Sequence, residues 1–201
     1  MNSKLKIIDN LALAPREQVE QIVEKAGYYQ GNSYLEFEAR RLYSAFQPIY
    51  SIAHKRIVGL EALVRAVDDK GEAVTPAVLF SRRQGEAIHQ LDLTCQQVHL
   101  QNFHALDPPD AWLFLNVDPS TLSRCARYTD FLNDLLVRYN YTPNRVVIEI
   151  LESSIEDESE LEQTIGQYKD LGFLIAIDDF GAGHSNFERI WRIQPDIVKL
   201  D

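Results

Sequence analysis

Five short apolar runs in this chain each end on a side chain that can hold a cation or a proton. Ile57–Leu60 leads to Glu61, Trp112–Leu115 to Asn116, and Val146–Ile148 to Glu149. Leu174–Ile177 leads to Asp178 and Asp179, and Asp196–Val198 to Lys199. Four carboxylates brought together repel one another unless a cation neutralises them. Every candidate ligand is a hard oxygen, with no His or Cys, which favours Mg²⁺ or Mn²⁺ over zinc. Asn116 adds a neutral amide oxygen, which suits a metal site better than a salt bridge. One acid at a strand end is ordinarily a helix cap or a solvated loop residue; the series as a whole is what points to a site.

The elements that must position these residues alternate strand and helix. Ala45–Ile52 and Arg56–Val64 read as a hairpin, followed by a helical region from Pro76 to Leu106. Trp112–Val117, Arg145–Leu151, Phe173–Ile177 and Asp196–Leu200 read as strands. Helices at Asp130–Tyr139, Asp157–Leu171 and Asn186–Arg192 separate them. Runs such as Val146-Val147-Ile148 and Leu174-Ile175-Ala176-Ile177 are continuously apolar, as parallel strands covered on both faces must be. The fold class is therefore α/β, a TIM-like (β/α) barrel with an initial hairpin. About six of the usual eight strands are accounted for, and barrel sites lie at the carboxyl ends of strands. Residues 1–40 read as a helical prefix and 41–201 as the barrel domain. In the prefix, Pro15 and the stripe Val19, Ile22, Val23 and Ala26 predict one helix. The capping-box spacing of Ser33 and Glu36 predicts a second helix through Leu42.

Composition sets the outer bounds. The 201 residues carry 20 Lys and Arg against 30 Asp and Glu, a net charge of −10. That leaves no broad electrostatic footprint for a nucleic acid polymer. Two cysteines cannot build a disulfide framework, which suits a reducing cytoplasm. No apolar run reaches the roughly 18 residues of a membrane span. His54, His89, His99 and His104 have no metal-site spacing and read as turn or packing residues. Cys95 reads as a small core residue.

The motif Glu61-Ala62-Leu63-Val64-Arg65 resembles the signature of the EAL domain, a family that hydrolyses the bacterial second messenger cyclic di-GMP. The resemblance extends to Phe46-Gln47-Pro48-Ile49, Leu115-Asn116-Val117 and Glu149-Ile150-Leu151-Glu152. It continues through Asp178-Asp179-Phe180-Gly181-Ala182-Gly183-His184-Ser185 to Val198-Lys199-Leu200-Asp201. Six blocks in order over residues 46–201 make it specific.

The resemblance implies that Glu61, Asn116, Glu149 and Asp178 hold one divalent cation, Mg²⁺ or Mn²⁺, and that Asp178 and Asp179 share a second. Lys199 would orient the attacking water, and Glu152 matches the family's second acid. Arg65 would meet a phosphate, with Gln47 and Leu63 lining the ligand groove. The implied product is pGpG, and the Phe180–Ser185 loop resembles a segment coupled to dimerisation. A homodimer or larger oligomer is thus expected. Leu151 stands where the family commonly has Thr. The family's next glutamate would fall beyond Asp201, so weak water activation is expected in this chain. The alternative is a non-catalytic module that binds cyclic di-GMP or a protein; a less favoured one is an unrelated metal-dependent barrel enzyme.

Overall fold

The computed structural model describes residues 27–29, 31–51, 54–81, 83, 85–118, 121, 125–151, 158–180 and 187–200. It divides into two compact units, Met1–Gln47 with Ala62–Asp110, and Pro48–Glu61 with Ala111–Asp201.

In the first unit β1 (Gly27–Tyr29), β2 (Asn32–Phe37) and β3 (Arg40–Ser51) form an antiparallel ladder, with Leu35 opposite Leu42 and Phe37 opposite Arg40. The two-residue turn between β2 and β3 puts Glu38 at φ 53. Its carboxylate is held there by Arg40 at 2.9 Å and Arg83 at 2.6 Å. The long strand β4 (Arg56–Asp68) pairs with the short β5 (Ala73–Val74). Helix α1 (Pro76–Phe80) starts on Pro76 behind a Thr75 cap, and α2 spans Glu86–Leu106. Leu42, Val64, Ala66, Leu79, Leu91 and Cys95 form the core, so Cys95 is the small buried residue expected.

Residues 27–29 and 31–42 are not helical, contrary to the expectation of a helix from Ser33 through Leu42. Ser33 does not cap a helix because its backbone is claimed from α2. Asn102 Oδ1 accepts from Ser33 N at 2.8 Å, and Asn102 Nδ2 donates to Ser33 O at 2.9 Å. A side chain 69 positions away thus supplies both ladder bonds of an extended residue, and tertiary structure overrides a local capping pattern. The predicted helix around Val19–Ala26 lies outside the described residues. Asn102 Nδ2 also reaches Ser44 Oγ at 3.2 Å, and Ser44 Oγ lies 2.9 Å from His99 Nδ1. His99 is therefore a packing histidine, as expected. Burial, with a smaller push from the Arg65 charge, lowers its pKa to about 3.

The second unit contains the first half of β4, then β6 (Trp112–Asn116), β7 (Val146–Leu151), β8 (Leu174–Phe180) and β9 (Ile197–Leu200). The last four run parallel, as their continuous apolar character requires. Helices α3 (Cys125–Arg138), α4 (Glu158–Asp170) and α5 (Phe187–Ile193) supply the crossovers. Phe114, Val147 and Ala176 pack together with Ile49, Trp112, Leu174 and Ile197. The six strands expected from the sequence are all present, and β1, β2 and β5 are additional to them.

Candidate active site

The two-residue period of a strand carries the site. Phe114, Val147, Ala176 and Ile197 belong to one apolar cluster of the second unit. Two residues further along the same strands stand Asn116, Glu149, Asp178 and Lys199. The ladder registers agree: Phe114 pairs with Val147 and Asn116 with Glu149, while Ala176 pairs with Ile197. On β4 the equivalent step leads from Gly59 to Glu61. A Cβ on Gly59 would lie 2.4 Å from the Phe114 ring, so glycine is what lets that ring fill the layer beneath the site. Apolar packing thus forms the floor, and the next layer is polar.

That polar layer is tightly knit. Glu61, Glu149 and Asp178 each offer a carboxylate oxygen, and these lie within 4.8 Å of one another. Lys199 Nζ is 2.9 Å from Glu61 Oε2, 2.7 Å from Glu149 Oε1 and 3.0 Å from Asp178 Oδ2. Asn116 Nδ2 donates to Glu61 Oε1 at 3.1 Å. Glu149 is only 1% exposed; its Oε1 meets the Lys199 ammonium at 2.7 Å, and its Oε2 has no hydrogen bond. Burial pushes its pKa up to about 7, against the hydrogen-bonding pull of Lys199 and with the charges of Glu61 and Asp178 adding to the rise. For Lys199, burial acts downward, but its contacts with the three carboxylates outweigh it and hold the ammonium above its usual value. A buried carboxylate with unfilled acceptor sites, aimed at two others, is the donor set a hard divalent cation fits.

The structure therefore brings together Glu61, Asn116, Glu149, Asp178 and Lys199. Gln47, Leu63 and Arg65 belong to the first unit. Leu63 and Arg65 follow Glu61 at two-residue steps along β4, alternating with the buried Ala62 and Val64. Arg65 Nη1 donates to Val64 O at 2.9 Å, and Gln47 is exposed on β3. Glu152, the Asp179 side chain and the loop at 181–186 lie outside the described residues. Spacing gave no sign that Lys199 would contact all three acids. The alternation of Gly59 with Glu61 was the one available sign of a close-packed floor.

Comparisons with known proteins point to one family. The EAL domain family model matches residues 32–201, so it begins within the segment first read as a helical prefix. The blue light- and temperature-regulated antirepressor BluF of Escherichia coli K12 is 30% identical over 157 residues, which are 78% of this chain and 38% of BluF. The probable cyclic di-GMP phosphodiesterase PdeB of the same organism is 26% identical over 167 residues, 82% of this chain and 32% of PdeB. The chain thus spans less than two fifths of the length of these two relatives. Among solved structures, Klebsiella pneumoniae BlrP1 in its pH 6 complex with manganese and cyclic di-GMP superposes with a TM-score of 0.70 at 28% identity. The match covers 80% of this chain and 40% of BlrP1. The cyclic di-GMP-bound standalone EAL protein of Vibrio cholerae O395 gives 0.69 at 28% identity, over 80% of this chain and 66% of that one. The shared fold is the TIM-like (β/α) barrel, and the strands described here make part of it. A family model that runs through every strand bearing the clustered side chains leaves one assignment: the chain belongs to the EAL domain family.

Proposed function

We propose that this domain hydrolyses a phosphodiester bond of cyclic di-GMP to give pGpG, with Mg²⁺ or Mn²⁺ as cofactor. The observation that carries the reading is the buried Glu149 carboxylate, its Oε2 without a hydrogen bond, gathered within 4.8 Å of oxygens of Glu61 and Asp178. Glu61, Glu149, Asp178 and Asn116 would hold one cation, and Asp178 with Asp179 would share a second. Bound there, such cations neutralise phosphate charge and make water a better nucleophile. Neighbouring structures hold manganese or calcium beside cyclic di-GMP, which supports a divalent requirement.

The chain's own groups have distinct tasks in this reading. Lys199 orients the water that attacks phosphorus; the new O–P bond forms as the bridging P–O bond breaks, and the leaving oxygen takes up a proton. Glu152, which matches the family's second acid, would join Lys199 as a catalytic residue. Arg65 pairs with a phosphate oxygen through its planar guanidinium, while Gln47 and Leu63 line the ligand. Incubating the full chain with cyclic di-GMP and Mg²⁺ or Mn²⁺, followed by chromatography, tests the proposal. Formation of pGpG, abolished in Glu61→Ala, is expected. The second reading, a cyclic di-GMP-binding or protein-docking module, draws support from BluF, a relative named as an antirepressor. Retained binding with no pGpG would favour that module.

A further inference from the structure

Lys199 stands at the centre of the carboxylate cluster. Its ammonium contacts one oxygen from each of Glu61, Glu149 and Asp178, at 2.7–3.0 Å. Those three residues are also the ones whose oxygens gather within 4.8 Å. A divalent cation takes its oxygens at about 2.0–2.6 Å, so a cation among these three carboxylates and the ammonium in its observed place would need the same space. We infer that Lys199 is the resident counter-ion of the metal-free centre, occupying the position of the cation and withdrawing before the cation can enter. The inference rests on the reading of this cluster as a cation centre.

Three further features fit that role. The formal charges of the four groups, −3 from the acids and +1 from Lys199, sum to −2, so an ammonium stabilises the cluster without neutralising it. Its fit is also imperfect. Nζ reaches one oxygen of each acid, and Glu149 Oε2, the second oxygen of the most buried of them, is left without a hydrogen bond. A cation would fill what the ammonium leaves open. Finally, the Lys199 side chain is 26% exposed while that of Glu149 is fully buried. The flexible four-carbon stem therefore has a way out toward solvent, and the carboxylate does not. Lys199 keeps the acids converged before metal arrives and, by the same contacts, weakens metal affinity.

The test is Mn²⁺ titration calorimetry on the metal-free 201-residue chain and on Lys199→Met, with thermal unfolding of both. Removing a competing unit charge from the cluster should tighten Mn²⁺ binding about tenfold or more. Metal-free Lys199→Met should also melt at a lower temperature than the parent, and Mn²⁺ should restore it. A second measurement needs no variant: acetic anhydride labelling read by mass spectrometry should modify Lys199 faster when Mn²⁺ is present. Wild-type chain that binds Mn²⁺, with Lys199→Met binding no more tightly, overturns the inference and leaves the cation centre standing. So does unchanged or slower labelling of Lys199 on adding Mn²⁺. Failure of both proteins to bind Mn²⁺ overturns the cation centre itself, and the inference with it.

Discussion

At the scale of single residues, identity was legible and partnership was not. Glu61, Asn116, Glu149 and Asp178 stand out because each closes an apolar run, and the structure places them together. That Lys199 meets three acids depends on the pairing of β8 with β9, which sets Ala176 beside Ile197 and so brings Asp178 level with Lys199. No spacing within one strand encodes that register. Arg65 is the residue whose role separates ligand from metal. Arg65→Ala should weaken cyclic di-GMP binding about tenfold or more, the loss of a charge-assisted phosphate contact, and leave Mn²⁺ affinity unchanged. Calorimetry with each ligand checks it, and equal cyclic di-GMP affinity removes Arg65 from the site. His99 makes a pH prediction. Its folded pKa, about 3, lies below the ordinary value of 6.5, so the folded state favours the neutral ring. Its contribution is complete above pH 6.5 and lost as pH falls toward 3, at about 1.4 kcal/mol per pH unit. Denaturant titrations from pH 7 to 4 should show that slope, and His99→Gln should flatten it.

At the scale of elements, periodicity decided which expectations held. The parallel strands β6 to β9 were legible from unbroken apolar runs, and the observed ladders match. The helix expected from Ser33 to Leu42 failed because Asn102, far along the chain, binds both backbone groups of Ser33. A capping box is a local signal, and a buried amide from another element outcompetes it. Gly59 shows the reverse case, a residue whose importance comes from its neighbour. Gly59→Ala would drive a methyl to 2.4 Å from the Phe114 ring. Overpacking of this kind costs about 1–3 kcal/mol, so the variant should melt earlier. Because Phe114 lies two residues before Asn116, Mn²⁺ affinity should fall as well. An unchanged melting temperature would show that the floor yields without cost.

At the scale of the whole molecule, the class of fold was legible from strand–helix alternation, and the family from motif order. Association was expected too, and one structural feature supports proposing it. Among the described residues β9 pairs with β8 alone, and on it Val198 is 40% exposed. An apolar strand with an open edge recruits other strands. Sedimentation velocity should therefore show dimers or larger species at micromolar concentration, shifted toward monomer by Val198→Lys. A monodisperse monomer would contradict it. Among the described residues no helix is long and apolar enough to cross a membrane.

The central claim is that buried Glu149 completes a divalent-cation centre with Glu61, Asp178 and Asn116. Mn²⁺ titration of the chain and of Glu149→Gln, an isosteric change that removes only the charge, tests it most directly. The account predicts saturable Mn²⁺ binding by the parent chain and affinity weakened at least about tenfold in Glu149→Gln, with the fold retained. Equal Mn²⁺ affinity in the two proteins, or none in the folded parent, would contradict it.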